Sequence, residues 1–334
     1  MAGIKQHHVW QILQRGFGEK LGKDHHIWVY RKGKPAEKTV TRLFGFEKRF
    51  YGEEGSQADV NITKYESDNQ STIQEIRKLR NGADVDPEFA ATLISHLEIR
   101  TSFLRDSFST MTQKIVGGLV DRFMSPETLR SMMLAYLKDN PDELDKLLGK
   151  AFILPAQRSD FSQIAYQIVK NMSDKEILKS MEHGLGQIGE ITTKLPKIAK
   201  DGQNKLLARE VSNQSRSELH FDRKYFVYRP EDGSLILPDT TLAFVKKEGA
   251  SPLSQYQDSI EAVILPIASN AAIIGTVNGK FNYPLKAINR ILAGCSFEAF
   301  LALEQSASLQ GMTGRIGKYA KLLKDSEINS LVRK

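Results

Sequence analysis

One cysteine in 334 residues, Cys295, rules out an internal disulfide. No apolar run is long enough to span a membrane: the longest, AVILPIASNAAIIGTV, is interrupted by Pro266, Ser269 and Asn270. The N-terminus carries no apolar stretch of the secretory kind, so the expected compartment is the reducing cytoplasm. Internal repeats, low-complexity tracts and long linkers are absent too. The pairs His7–His8 and His25–His26 have no Cys or carboxylate at a familiar ligand spacing, and adjacent side chains diverge on a helix or a strand. No metal and no cofactor is therefore expected. Gly184-x-Gly186-x-x-Gly189 matches a dinucleotide fingerprint formally, but a helical pattern rather than a strand precedes it. It reads as a helix-terminating turn. Cys295 lies among small and apolar residues and reads as a buried side chain, not a nucleophile.

The net charge of +7 is unevenly placed. Residues 1–50 hold 11 Lys and Arg against 4 Asp and Glu, whereas the remainder is balanced. A local positive field attracts polyanions. A basic surface that is merely solvated has the same composition.

Val9, Leu13 and Phe17 recur at helical spacing, which predicts a short helix over residues 7–16. HHIWVY alternates and is aromatic and β-branched, so it reads as a strand paired with a second one around KTVTRLFGF. Helical patterns then run to about residue 210, with Asp86–Pro87 and Ser125–Pro126–Glu127 as start signals. Residues 217–282 switch to strands, including a hairpin turning at Ser269–Asn270, and a helical tail follows with its stripe through Ile291, Phe297 and Leu301. The predicted fold is α+β in a single domain over 1–334. N-terminal strands (1–60) and a late mixed or antiparallel sheet (217–282) pack against a helical middle (61–210), with a helical C-terminus (283–334).

PEFAATLISHLEIRTSFLRDSF reads as one helix whose apolar stripe, Phe89, Leu93, Leu97 and Leu104, also contains Arg100. An inward guanidinium needs an acid and a full set of acceptors. Asp239 is the first candidate, because it follows the buried run Leu235–Pro238; Glu66, near a helix start, is the second. As a structural tie, Arg100–Asp239 joins the helical middle to the late sheet. As a site, His7 shuttles protons, Arg100 stabilises an anionic transition state and Asp239 or Glu66 orients one of them. Those roles suit metal-independent phosphodiester cleavage, RNA above all, since its 2′-hydroxyl is a built-in nucleophile. The setting expected for such chemistry is a toxin or phage defence. Gln6, Arg15, Trp28, Arg31, Lys32 and Lys34 form the candidate nucleic-acid-binding set, rings beside cations being suited to single strands. The alternatives are that Trp28 and Tyr30 pack into the core, and that the whole constellation serves a non-catalytic binding module.

These residues resemble the bacterial family catalogued as domain of unknown function 4238. Its members open with Gln-His-Tyr-Val-Pro, then Leu and Phe, then a valine-tryptophan-valine-tyrosine strand. Gln6, His7, Val9, Leu13 and Phe17 match the first block and Ile27–Tyr30 the second. Glu66 resembles the family's Ile-Glu helix start, Arg100–Thr101 its Arg-Thr-Pro, Asp239 its Ser-Asp-Asn-Pro and AVILPIA its later Pro-Leu-Ser strand. The likeness covers residues 4–275 in matching order. Trp10, Ser102 and Thr241 stand where the family has proline, so the local frame is looser while the polar side chains are kept. The family has no established activity, so the resemblance implies a retained polar centre and no particular reaction.

Overall fold

Strand Asp24–Arg31 organises the N-terminal region, pairing with Glu19–Leu21, Glu37–Val40 and, across most of the sequence, Ala299–Ala302. The structure, a computed structural model, describes residues 5–123, 125–150, 154–180, 182–209, 214–254 and 259–322. The fold is α+β, and every strand pairing among the described residues is antiparallel. Two compact units are present, one built from the described residues up to Phe108 together with Ala199–Leu322, the other from Ser109–Ile198. Among the described residues no helix is long and apolar enough to cross a membrane.

The first unit holds the sheets. Six strands line up in the order Gly249–Ser251, Ala243–Lys246, Ile260–Ala268, Ala271–Thr276, Lys224–Tyr228 and Asp84–Val85. The hairpin turns at Ser269–Asn270 as the sequence predicts. Residues 262–268 are all buried, so this strand is covered on both faces, and Pro266, with no N–H to offer, sits beside a register shift. A five-stranded sheet contains Asp24–Arg31 at its centre, and a two-stranded ribbon pairs Lys5–His7 with Phe46–Lys48. Helix Pro87–Ile99 starts where Asp86 accepts the Phe89 N–H at 3.0 Å with Pro87 in its first turn, and buries Ala90, Leu93, Ile94 and Leu97.

Four local expectations are corrected. The first helix is only Gln11–Arg15, because the chain before it is drawn into the ribbon. Gly45 (φ +61°) shapes that junction: its carbonyl accepts the His8 and Val9 N–H groups, and a Cβ there would lie 2.8 Å from Val9 Cβ. The Arg100 segment is two helices, since Arg100 leaves helical geometry (φ −101°, ψ 4°) and Thr101 Oγ1 accepts the Leu104 N–H to start Ser102–Phe123. The tail helix stops at Cys295, and Phe297 and Leu301 are not on it; Leu301 belongs to strand Ala299–Ala302, whose fully buried pairing outweighs the helical spacing. Gly184, Gly186 and Gly189 lie inside helix Glu182–Arg209 rather than ending one, the penalty of about 1 kcal/mol per glycine being only a weak local preference.

The second unit is helical, with Pro126–Asp139, Pro141–Lys150, Arg158–Asn171 and Asp174–Ser180. Ser125 Oγ accepts the Thr128 N–H, and Leu129, Val169 and Ile177 form a small core. Arg130 ties it by donating to the Met172 carbonyl and Asp174.

Candidate active site

Arg100 ends up 1% exposed, and its fork meets four partners. Nε donates to Tyr51 Oη at 2.9 Å, Nη1 pairs with His96 Nε2 at 3.0 Å, and Nη2 reaches the His7 carbonyl and Glu66 Oε1, both at 2.6 Å. Tyr51 Oη in turn donates to the same His7 carbonyl at 2.8 Å. Burial pushes the Tyr51 hydroxyl up to about 12, so it keeps the proton it donates. Gln6, also buried, accepts the Tyr51 N–H at 2.6 Å and donates to the Gly52 carbonyl at 3.3 Å. The Lys5–His7 strand is thereby tied to the end of helix Pro87–Ile99. Each of the three Arg100 nitrogens is therefore engaged within the protein.

A pocket of about 400 Å³ opens beside this hub, lined among others by His7, Gln11, Arg15, Glu66 and Arg100, a size that takes a small ligand. Gln11 Nε2 lies 3.0 Å from His7 Nε2, and Arg15 Nη2 donates to Gln11 Oε1 at 3.1 Å. The same Gln11 nitrogen is 3.4 Å from His7 Nδ1, so the amide lies over the face of the imidazole rather than on the lone pair of either ring nitrogen. Burial, then the nearby charge of Arg100, lowers His7 to about 4, and the ring is neutral at pH 7. His8, against the Phe50 ring, is lowered to about 3 for the same reasons. Burial moves the half-buried Glu66 carboxyl the other way, upward, against the pull of Arg100. Lys5 and Arg15, both exposed, have no carboxylate partner among the described residues.

Asp239 does not join this group, which corrects the expected Arg100–Asp239 pair. Its carboxylate accepts the Phe297, Glu298 and Ala299 N–H groups at 2.7, 2.7 and 2.9 Å. Strand Leu237–Pro238 pairs with Ala299–Ala302, so Asp239 emerges beside the turn where those amides are unmatched. Burial raises it to about 6 in spite of these bonds. Glu66, the second candidate, is the acid that meets Arg100.

The basic hairpin residues lie elsewhere and do not line the pocket. Tyr30 is buried, stacks on Phe300 at 4.9 Å and both donates to the Glu304 carbonyl and accepts from the Ser306 N–H, so it offers no open ring. Trp28 is half-buried against the core, Arg31 lies 3.7 Å from Glu37, and Lys32 and Lys34 are exposed on the turn.

Sequence reasoning missed Tyr51, His96 and Gln11. His96 was within reach, being one helical turn before Arg100, whereas Tyr51 arrives through a loop with no periodic signal. A second buried cluster was also missed: Glu98, fully buried, accepts from Arg216 at 2.6 and 3.0 Å and from the Ser254 N–H and hydroxyl. Among the described residues no group of His, Cys, Asp and Glu is arranged to hold a metal ion. Comparison of the chain with known proteins finds no matching family model, curated protein or solved structure.

Proposed function

We propose that this protein is a nucleic-acid-directed enzyme that cleaves phosphodiester bonds, RNA favoured, at the His7–Glu66 pocket. The observation that carries the reading is one pocket combining a neutral imidazole, a carboxyl paired with Arg100 and two cations without acidic partners among the described residues. In this reading His7 takes the proton of the attacking 2′-hydroxyl and then passes it to the departing 5′-oxygen, while Glu66, ion-paired with Arg100, orients the site. Lys5 and Arg15 offset the phosphate charge, and Arg100 holds both walls in place. The products are a 2′,3′-cyclic phosphate and a free 5′-hydroxyl, so atoms and protons balance. The order of the Gln6–His7, Ile27–Tyr30, Glu66 and Arg100–Thr101 blocks supports reading the chain as a divergent relative of the domain of unknown function 4238 family.

The test is incubation of purified protein with mixed RNA and DNA, with and without chelator, beside His7→Ala and Glu66→Gln. Chelator-insensitive RNA cleavage, lost in both variants with the melting temperature of His7→Ala nearly unchanged, is the expected result. No cleavage by the wild type overturns the proposal. The engagement of every Arg100 nitrogen favours a second reading, a binding module in which the same network is structural; there, Glu66→Gln lowers the melting temperature and the wild type has no cleavage to lose.

A further inference from the structure

Strand Lys224–Tyr228 buries Tyr225 and Val227 and leaves Lys224, Phe226 and Tyr228 on its other face. Segment 277–284, which follows the hairpin strand Ala271–Thr276, turns at Gly279 (φ +71°) and comes back over that face. Its Phe281 ring lies 5.9 Å from the Tyr228 ring, edge to face, and 5.0 Å from the Tyr283 ring. Tyr228, Phe281 and Tyr283 are half-buried, so each keeps part of its surface open. We infer that these three rings form a stacking platform for a single-stranded nucleic acid, with Lys224 and Lys280 holding its phosphates. This rests on the proposed action on RNA, and it adds where the bases of the substrate are held.

Charge selects this occupant. Residues 262–297 contain Lys280, Lys286 and Arg290 and no Asp or Glu. A Cβ on Gly279 would stand 3.3 Å from Lys224 Cδ, so the Lys224 stem lies along the turn that carries Lys280. Both lysines are exposed, and neither has a carboxylate partner among the described residues. Three acids lie near the rings. Glu261 lines a cavity of about 440 Å³ with Lys280, Phe281 and Tyr283, Glu231 lies near Tyr228, and Asp84 is paired across the sheet with Phe226. Rings beside unpaired cations fit a polyanion whose flat bases need cover.

The platform is tied to the helix that carries Glu66. Arg229, next to Tyr228, donates its main-chain N–H to Asn81 Oδ1 at 2.9 Å and its Nε to the Leu79 carbonyl at 2.8 Å, and its Nη2 reaches the Arg77 carbonyl. Those acceptors lie just beyond the end of helix Gln57–Ile76. Every base has a π face, so stacking on rings tolerates any sequence, and a duplex has no free face to offer them.

The probe is a fluorescently labelled deoxyuridine oligonucleotide, roughly a dodecamer in length, carrying 5-iodouracil; it lacks the 2′-hydroxyl and is not cleaved. Anisotropy reads its binding to the whole protein, and photocrosslinking with peptide mass mapping reads which side chains the bases touch in the wild type. Expected are crosslinks at Tyr228, Phe281 or Tyr283, and weaker binding once the oligonucleotide is annealed to its complement. Phe281→Leu, which keeps an apolar contact and removes the ring, should bind about ten-fold more weakly. Lys224→Gln with Lys280→Gln should reduce the log–log salt slope by about 1.4. Binding with crosslinks only elsewhere overturns the platform while RNA cleavage still stands. Absence of oligonucleotide binding with RNA cleavage intact overturns it as well and leaves the rings to a protein partner, and absence of both removes the proposed function with it.

Discussion

Arg100 Nη2 sits 2.6 Å from the His7 carbonyl oxygen and 2.6 Å from Glu66 Oε1, so one nitrogen joins the N-terminal strand to helix Gln57–Ile76. Removing the side chain leaves the Glu66 carboxylate, the Tyr51 hydroxyl and the His7 carbonyl without their common donor. Arg100→Ala is expected to cost about 3–5 kcal/mol in urea unfolding. Arg100→Lys is expected to recover little, because a single ammonium cannot replace a fork with donors in several fixed directions. Stability unchanged by either variant would show that the hub does not hold the strand.

Acid should destabilise the fold before its ordinary carboxylates titrate. His7 and His220 are lowered to about 4 and His8 to about 3, in each case through burial first, against 6.5 when unfolded. Between those limits the unfolded chain binds more protons, so stability is full above pH 6.5 and is lost as pH falls toward 4. Each histidine contributes on the order of 2–3 kcal/mol. Asp239 opposes this, since a carboxyl raised to about 6 binds its proton more readily when folded and adds stability as pH falls below 6. Glu66 and Asp106, also raised by burial, act in the same direction as Asp239, and the expected net slope set by the three histidines is a loss toward acid. Unfolding free energies at pH 7.5 and 4.5 check it, with His220→Phe expected to flatten the slope; a rise toward acid contradicts it.

Glu98→Ala is expected to be among the most damaging single changes. It strands Arg216 and frees the Ser254 N–H and hydroxyl inside the first unit, a loss of about 3–5 kcal/mol. Glu98→Gln keeps one acceptor and should cost less. Denaturant midpoints of the two variants give the comparison, and equal midpoints would mean that the carboxylate charge decides the outcome.

The basic hairpin provides a separate test. Arg31, Lys32 and Lys34 lie outside the pocket, so reversing their charge should weaken RNA binding while leaving the cleavage step per bound RNA unaltered. Fluorescence anisotropy with a single-stranded RNA should show affinity falling with salt, and the triple reversal should reduce the log–log slope by about 2. A slope unchanged by the reversal assigns the phosphate contacts to another surface.

Local chemistry was enough to announce much of this architecture. Asp86–Pro87 and Ser125–Pro126 start helices because their side chains cap backbone N–H groups within one turn, and the Ser269–Asn270 hairpin joins two apolar runs that need no distant information to pair. An arginine on an apolar stripe likewise had to be buried and paired, whatever the partner. Which acid met it was another matter. Glu66 and Asp239 are equally acidic on paper, and the difference is that Asp239 emerges against three unmatched amides at residues 297–299 while Glu66 faces the guanidinium. The same holds for residues 299–302, whose spacing suits a helix until Asp24–Arg31 offers an edge to bond with. Capping and turn formation are settled within a few residues, whereas ion pairing and strand pairing depend on groups far away in the chain, and their choice is made when the folded chain brings those groups within about 3 Å of one another.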